Sequence, residues 1–581
     1  MSISRGSRLL LRGLLLIGLL AGAFGLADGT VETYDLLIRD ARIVDGTGAA
    51  PFPGDLAVRD GRIAGVGKLR PEGAAAVVQG RGRVLAPGFV DVHMHVEEGL
   101  PARPDAENLV ADGVTSIVTG NCGGSELSLG PWFGRLAQSG TAVNVASLIG
   151  HNSIRPAVMG HANRRPSARE LAEMELLIRR GMAEGAAGFS TGLIYVPGMF
   201  AQPAELAALA RTAGALGGVY ATHMRNENDR VLEAIDEALS VARSAGVPLQ
   251  ISHFKVTSPR LWGSSARMLE KIESARREGL DVTLDQYPYT ASSAALDVLL
   301  PDWALEGARE GARRALQGRL CTARLRRRIA RDMYRRLHDE LGRNSLEHAV
   351  VAGARWAPQL EGRSVREINR LGWSGRPPRP DTLREQIATV LALCETGAAT
   401  GEGPGICAVQ MNYHNMSEAD VERILAYPLT MVARDGGVPG FGAGQPHPRS
   451  YGTAARVLSR YVRERGTLRL EEAIRKMTSL PARRFGLRDR GILREGFAAD
   501  LVLFDPKKIS DESTFTDPHH FSAGFDDVVV NGELVRRDGR PTGARPGRLL
   551  YGPGLQEERL TSSRFDRALP LSARAPRVSR R

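Results

Sequence analysis

The chain's 581 residues, 43% hydrophobic and 5% aromatic, are too many and too apolar for a mainly disordered polypeptide and suffice for a large core and more than one domain. A formal net charge of +12, from 77 Lys+Arg against 65 Asp+Glu, is carried by arginines scattered along the sequence, with no basic stripe interleaved with aromatics; the charge therefore excludes rather than suggests a nucleic-acid partner. Four cysteines, Cys122, Cys321, Cys394 and Cys407, are too few for a disulfide scaffold; a pair among the last three is compatible with export, and spacing does not select it.

In chain order, Arg5, Arg8 and Arg12 come first, followed by an apolar stretch from Gly13 to about Phe24 and the end Gly25-Leu26-Ala27. This is the tripartite pattern of a secretory signal peptide over residues 1–27, so the protein is expected to be exported, periplasmic or secreted, with cleavage after Ala27. The apolar run is short of the ~20 residues of a membrane span, which makes an uncleaved anchor the weaker alternative and leaves no stable span after cleavage. From 31 to 85, "YDLLIRDARIVDGTG" and "DLAVRDGRIAGVG" are short apolar runs punctuated by Asp-Gly, the mark of β-hairpins. The same texture returns from 487 to 548 in "AADLVLFDP" and "FDDVVVNGELVRRDGR", which predicts one small β domain built from both chain ends.

Between these ends, residues 86–486 alternate short apolar runs such as "VTSIVTG", "GGVYATHM" and "VPLQISHF" with stretches such as "SARELAEMELLIRRGMAEG", whose apolar positions recur at helical spacing and stop at glycine. Strands alternating with helices imply a parallel sheet. The fold class expected is α/β, a (β/α)8 TIM-like barrel beside the small β domain, with a doubly wound sheet as runner-up. An Arg-rich helical insert at about 296–404 breaks the pattern; it either covers a site or stands as an extra subdomain. Residues 549–581 are expected to form a mobile basic tail.

A barrel keeps its functional groups where strands end and loops begin. The first candidate strand ends in His93-Met94-His95, and residues two apart on a strand share a face, so both imidazoles can enter the mouth. A lone histidine is more often core than ligand. Here, however, the next strand ends offer Cys122 in "GNCGG", His223 in "YATHMRNE", His253 in "LQISHFKV" and Asp435 in "YPLTMVARDGG". Imidazole, thiolate and carboxylate converging on one place suit zinc. Cys122 could instead be a plain loop thiol or a nucleophile, and Asp435 a turn residue. Zinc on three protein groups keeps a place for water and acidifies it to a hydroxide nucleophile, and a carboxylate such as Asp435 can take the proton and return it to a leaving amine. Lys255 and Arg449, which would otherwise be solvated cations, suit a substrate carboxylate; Tyr195 and Tyr287 offer hydroxyls or mere packing.

The motifs "APGFVDVHMH", "GNCGGS", "GAAGFSTGLIYVPG", "THMRNE", "ISHFK", "DQYPYTASS", "HPRSYGT" and "GILREGFAADLVLFDP", in this order between about Tyr34 and Arg540, resemble the N-acyl-D-amino-acid deacylases (D-aminoacylases) of the amidohydrolase superfamily. The resemblance implies a metal-dependent (β/α)8 TIM-like barrel with a small β-sandwich built from both chain ends (31–85 and 487–548), and cleavage of the amide of N-acyl-D-amino acids or D-configured dipeptides, small-molecule substrates. It implies a tight zinc site on Cys122, His223 and His253, and a second, weaker site that adds His93 and His95 and shares Cys122 and Asp435. It makes Asp435 the general base and acid, Lys255, Tyr287 and Arg449 the carboxylate contacts, with Tyr289 as the other alignment, and Tyr195 a neighbour of the acyl amide. The chain departs from the family pattern at Arg434-Asp435-Gly436, commonly Ser-Asp-Gly, and in the following loop "GGVPGFGAGQPHPR". An inward Arg434 would lower the Asp435 pKa, whereas strand alternation points it away. Two other readings are a cyclic-amide hydrolase of the hydantoinase or dihydroorotase kind, for which a bridging lysine is missing, and an inactive exported binding protein on the same scaffold. Nothing in the sequence sets the oligomeric state.

Overall fold

The structure, a computed structural model, describes residues 34–69, 73–307, 312–400 and 403–556, so the expected signal peptide lies outside the described residues. Strands Tyr34–Ile43, Phe52–Arg59, Arg62–Gly67, Ala74–Gln79 and Val84–Pro87 join Leu501–Phe504, Phe525–Val530, Glu533–Arg537 and Arg540–Pro541 in one nine-stranded sheet. The two contributions meet where Leu501–Phe504 runs antiparallel to Val84–Pro87. Three two-residue turns, Asp60-Gly61, Asn531-Gly532 and Asp538-Gly539, have positive φ at both positions. This backbone matches the twist of the flanking strands, and Asn-Gly and Asp-Gly adopt it most readily. Leu36, Ile38, Leu56, Val58, Leu85, Leu501 and Val529 fill the sheet's own core.

The middle of the chain forms eight parallel strands: β1 (Phe89–Asp91), β2 (Val114–Thr119), β3 (Asn144–Ser147, continued by Ile149–Gly150), β4 (Gly188–Gly192), β5 (Val219–His223), β6 (Leu249–Ile251), β7 (Val282–Gln286) and β8 (Thr430–Val432). Each pairs in parallel with the next. The ring closes just beyond β8 and β1, where Met94 bridges Gly436 and His95 N–H donates to Gly436 O at 2.9 Å. The strands are buried along their whole length, as parallel barrel strands flanked by helices are. Helix Ala168–Ala183 starts at a Ser167/Glu170 capping box, and helix Val231–Ala245 stops at Gly246 in the left-handed conformation.

Between β7 and β8 the insert differs from the expected helical one. It holds helices Ala312–Cys321, Ala323–Tyr334, Val365–Leu371 and Leu383–Thr400, but also a three-stranded antiparallel sheet of Ser292–Ala295, Gln410–Tyr413 and Ala349–Gly353. It therefore reaches beyond 404 to Tyr413 and has its own core, including Leu296, Ile329, Val351 and Leu391. Cys394 and Cys407 form a disulfide inside it, while Cys321 is exposed and free. The expected mobile tail also needs correction over 549–556. Leu550 N–H donates to Val145 O (2.8 Å), Gly552 N–H to Gly185 O (2.8 Å) and Gln556 N–H to Ala183 O (2.9 Å), while Tyr551 packs edge-on against Phe133. Backbone pairing and three apolar side chains hold a stretch whose polar composition had suggested otherwise. No helix among the described residues is long and apolar enough to cross a membrane.

Candidate active site at the barrel mouth

His93 and His95 leave β1 toward the mouth. His93 is fully buried; its Nδ1 lies 3.2 Å from Asp285 Oδ1 on β7, and its Nε2 3.3 Å from Cys122 Sγ and 3.4 Å from Asp435 Oδ1. His95 Nε2 is 3.1 Å from the same Asp435 oxygen. Cys122 follows β2, its Sγ 3.5 Å from His223 Nδ1 after β5 and 3.4 Å from His253 Nε2 after β6. Two groupings result, His93, His95, Cys122 and Asp435 in one and Cys122, His223 and His253 in the other, with ligand atoms within 4.8 Å of one another in each. Cys122 belongs to both. One thiolate, four imidazoles and a carboxylate at these separations fit one or two zinc ions.

The backbone is bent to make this arrangement. Cys122, His253 and Asp435 all sit at positive φ (50°, 34° and 48°), a region that L-residues other than Asn and Asp rarely enter. Each such residue costs about 1–3 kcal/mol and persists only where its surroundings fix it. For His253 the fixing contact is its own N–H, which donates to Asp285 Oδ1 at 2.8 Å. After Cys122 it is Gly123, also at positive φ, where a Cβ would collide with Asn152 and Gly192.

Burial works to raise the Cys122 thiol, but the charges of His93 and His253 and hydrogen bonds from His223 and His253 hold it well below its ordinary value. Burial likewise opposes ionisation of Asp435. Arg449, His93 and His253 outweigh it, with a hydrogen bond from His95, and keep the carboxyl well below the usual range.

Beside these groups, Lys255 Nζ lies 5.6 Å and the Arg449 guanidinium 4.4 Å from the Tyr287 ring centre. Arg449 Nη1 is 2.9 Å from Asp435 Oδ2 without hydrogen-bond alignment, so it keeps a donor direction free for another oxygen. Tyr195 packs edge-on against His223, ring centres 5.0 Å apart. Tyr289 faces elsewhere and donates to Asp511 (3.0 Å). All ten residues singled out in the sequence thus meet at one mouth. Arg434 does not face it: its guanidinium binds Asp91 (2.9 Å), Asp112 (3.0 Å) and the Ser450 carbonyl (3.3 Å).

Three residues escaped the sequence reading. Asp285 orients His93 and the His253 backbone. Glu227 accepts from Lys255 (2.6 Å) and lies 3.0 Å from His253 Nδ1 and 3.6 Å from His223 Nε2. His447 donates from Nε2 to Ala291 O (2.9 Å) and accepts the Arg449 N–H at Nδ1 (3.1 Å). The signal was present, since Glu227 and His447 stand inside "THMRNE" and "HPRSYGT". Two cavities open from the mouth, of about 1040 Å3 on the His223, His253 and Lys255 side and about 830 Å3 on the His95, Cys122 and Arg449 side. Ser293, Ala294 and Asp297 of the insert border both, so the insert covers the site.

A model of the amidohydrolase family matches residues 76–331 and 420–536. An N-acyl-D-glutamate deacylase of Alcaligenes xylosoxydans xylosoxydans is 36% identical over 541 residues, which cover 89% of this chain and 97% of that protein. The structure of N-acyl-D-glutamate deacylase from Bordetella bronchiseptica, complexed with zinc and a phosphonate mimic of the tetrahedral intermediate, superposes with a TM-score of 0.72 at 33% identity, covering 90% of this chain and all of that one. A D-aminoacylase structure, described for its binuclear metal centre with one-metal activation and second-metal attenuation, superposes at 0.73 and 32% identity over 89% of this chain and all of that one. The extent of these matches, over the barrel and the sheet of both chain ends alike, places the chain in the amidohydrolase family.

Proposed function

We propose that the protein is a zinc-dependent hydrolase that cleaves the amide bond of N-acyl-D-amino acids. The observation that carries the reading is the meeting of Cys122, His223, His253, His93, His95 and Asp435 beside the cationic wall of Lys255, Tyr287 and Arg449. Cys122, His223 and His253 hold the tight zinc; His93 and His95 add a weaker site that shares Cys122 and Asp435, in keeping with the one-metal activation described for the related D-aminoacylase. Bound zinc supplies a Lewis acid for the amide oxygen and an acidified water. Asp435, ionised in its buried setting, accepts the water's proton and returns it to the leaving amine. Lys255 and Arg449 take the substrate's α-carboxylate, stacked on Tyr287, and Tyr195 lies against the acyl amide. The residue common to both ligand groupings is a cysteine rather than a lysine, which weighs against a cyclic-amide hydrolase.

The test is metal content and hydrolysis together, on N-acetyl-D- and L-amino-acid panels. Zinc with D-selective release, lost about 10²–10⁴-fold in Asp435→Asn while the metal stays bound, is the expected outcome. Zinc without hydrolysis on either panel would favour a binding protein on this scaffold, and no zinc would overturn the chemistry. We further infer export by cleavage after Ala27. The tripartite pattern of residues 1–27 supports it, as does the Cys394–Cys407 disulfide, a bond that persists in oxidising compartments. A mature protein beginning at Asp28 in the periplasmic or secreted fraction is the expected finding.

A further inference from the structure

Arg343, at the end of the insert's Arg-rich helical stretch, lines the larger cavity together with Lys255 and Tyr287. It is half-buried and has no carboxylate partner among the described residues; its Nη2 donates to the Thr257 carbonyl, at 3.4 Å. Burial alone pushes its guanidinium down to about 10, with no acid close enough to oppose the shift. A desolvated guanidinium, with five donors in a fixed fork, is normally met by a carboxylate or phosphate.

Several arginines of the same stretch are paired with acids. Arg326 pairs with Glu395 (2.9 Å), Arg328 and Arg331 with Asp332 (3.9 and 3.7 Å), and Arg335 with Glu340 (3.7 Å). Arg336, which also lines the cavity, touches only the Val298 carbonyl, at 3.5 Å. The acids around the cavity are committed elsewhere: Glu227 to Lys255, Glu237 to Arg225 and Glu233 to Arg230. Asp229 and Asp302 are exposed; Asp297 is buried, with an unpartnered Oδ1, and burial pushes its carboxyl up toward the neutral form. Thr257, whose carbonyl Arg343 touches, is two residues beyond Lys255, so the unpaired guanidinium stands beside the site assigned above to the α-carboxylate.

We propose that Arg343 is a specificity residue that receives a second carboxylate, at the end of the substrate's side chain, making N-acyl derivatives of acidic D-amino acids the preferred class. This rests on the deacylase reading. The experiment measures kcat/KM of the zinc-loaded full chain on the isosteric pairs N-acetyl-D-glutamate/D-glutamine and N-acetyl-D-aspartate/D-asparagine, for the wild type, Arg343→Met and Arg343→Lys. The expected result is an acid-to-amide ratio of about tenfold or more for at least one pair, collapsing toward one in Arg343→Met and partly restored in Arg343→Lys. A wild-type ratio near or below one for both pairs, or a ratio that Arg343→Met leaves unchanged, would overturn the proposal while leaving the deacylase reading intact. Absence of hydrolysis across every N-acyl-D-amino acid would overturn both.

Discussion

Arg434 and Asp435, neighbours at the end of β8, send their charges to different places. Asp435 points into the mouth; Arg434 ties Asp91 to Asp112 in a fully buried cluster. Burial pushes both of these carboxyls up, against the pull of the arginine. In Arg434→Met they rise further and hold protons in the folded state at pH values where unfolded carboxyls, near about 3.9, have ionised. The folded state then binds more protons than the unfolded one, and stability falls as pH rises. The variant is expected to lose about 3–5 kcal/mol near neutral pH and less toward pH ~5, read from urea midpoints. Glu227 acts on the metal side: it faces both imidazoles of the tight grouping as well as Lys255. Glu227→Gln is expected to weaken zinc binding about 10–100-fold in chelator competition, whatever its effect on turnover. The residues that converge at the mouth were legible in the sequence because they stand at or just past the ends of apolar runs. Asp285 and Glu227 stood inside the motifs "DQYPYTASS" and "THMRNE", but their roles were not legible, because a carboxylate at a strand end or in a polar loop looks like an ordinary turn or surface group until the fold sets it against an imidazole.

At the scale of elements, hairpins and barrel strands were legible wherever turn chemistry and apolar runs agreed, as at Asp60-Gly61 and in β2. The insert's sheet was not: Ser292–Ala295 reads "SSAA", with no β-branched or aromatic residue, and its partner Gln410–Tyr413 lies far along the chain. Gln410 Nε2 donates to Ser293 Oγ across a separation of 117 residues. Such pairing is set by tertiary packing rather than by local propensity. Inside the insert, the disulfide staples helix Leu383–Thr400 to Cys407 over a separation of 13 residues. Replacing both cysteines with serine is expected to lower the opening free energy of that helix by about 2–4 kcal/mol, measured by amide hydrogen exchange, with less effect on β1–β8.

Across the whole molecule, the barrel stands between two halves of one sheet, and the joints are central rather than peripheral. Val84–Pro87 has Leu501–Phe504 on one side, and Arg62 donates to the Gly496 carbonyl across 434 residues. A chain ending at Asp500 loses four of the nine strands of the sheet, among them the buried neighbour of Val84–Pro87, and is expected to show no cooperative thermal unfolding by circular dichroism, whereas one ending at Gln556 retains it. The same joint governs timing. The first five strands pair among themselves, but Val84–Pro87 lacks its second neighbour until Leu501–Phe504 has been made, so the nine-stranded sheet cannot be completed on a shorter nascent chain. A sheet left incomplete until its synthesis is nearly finished is compatible with the export proposed above, since a chain that has not closed its fold still fits a narrow pore.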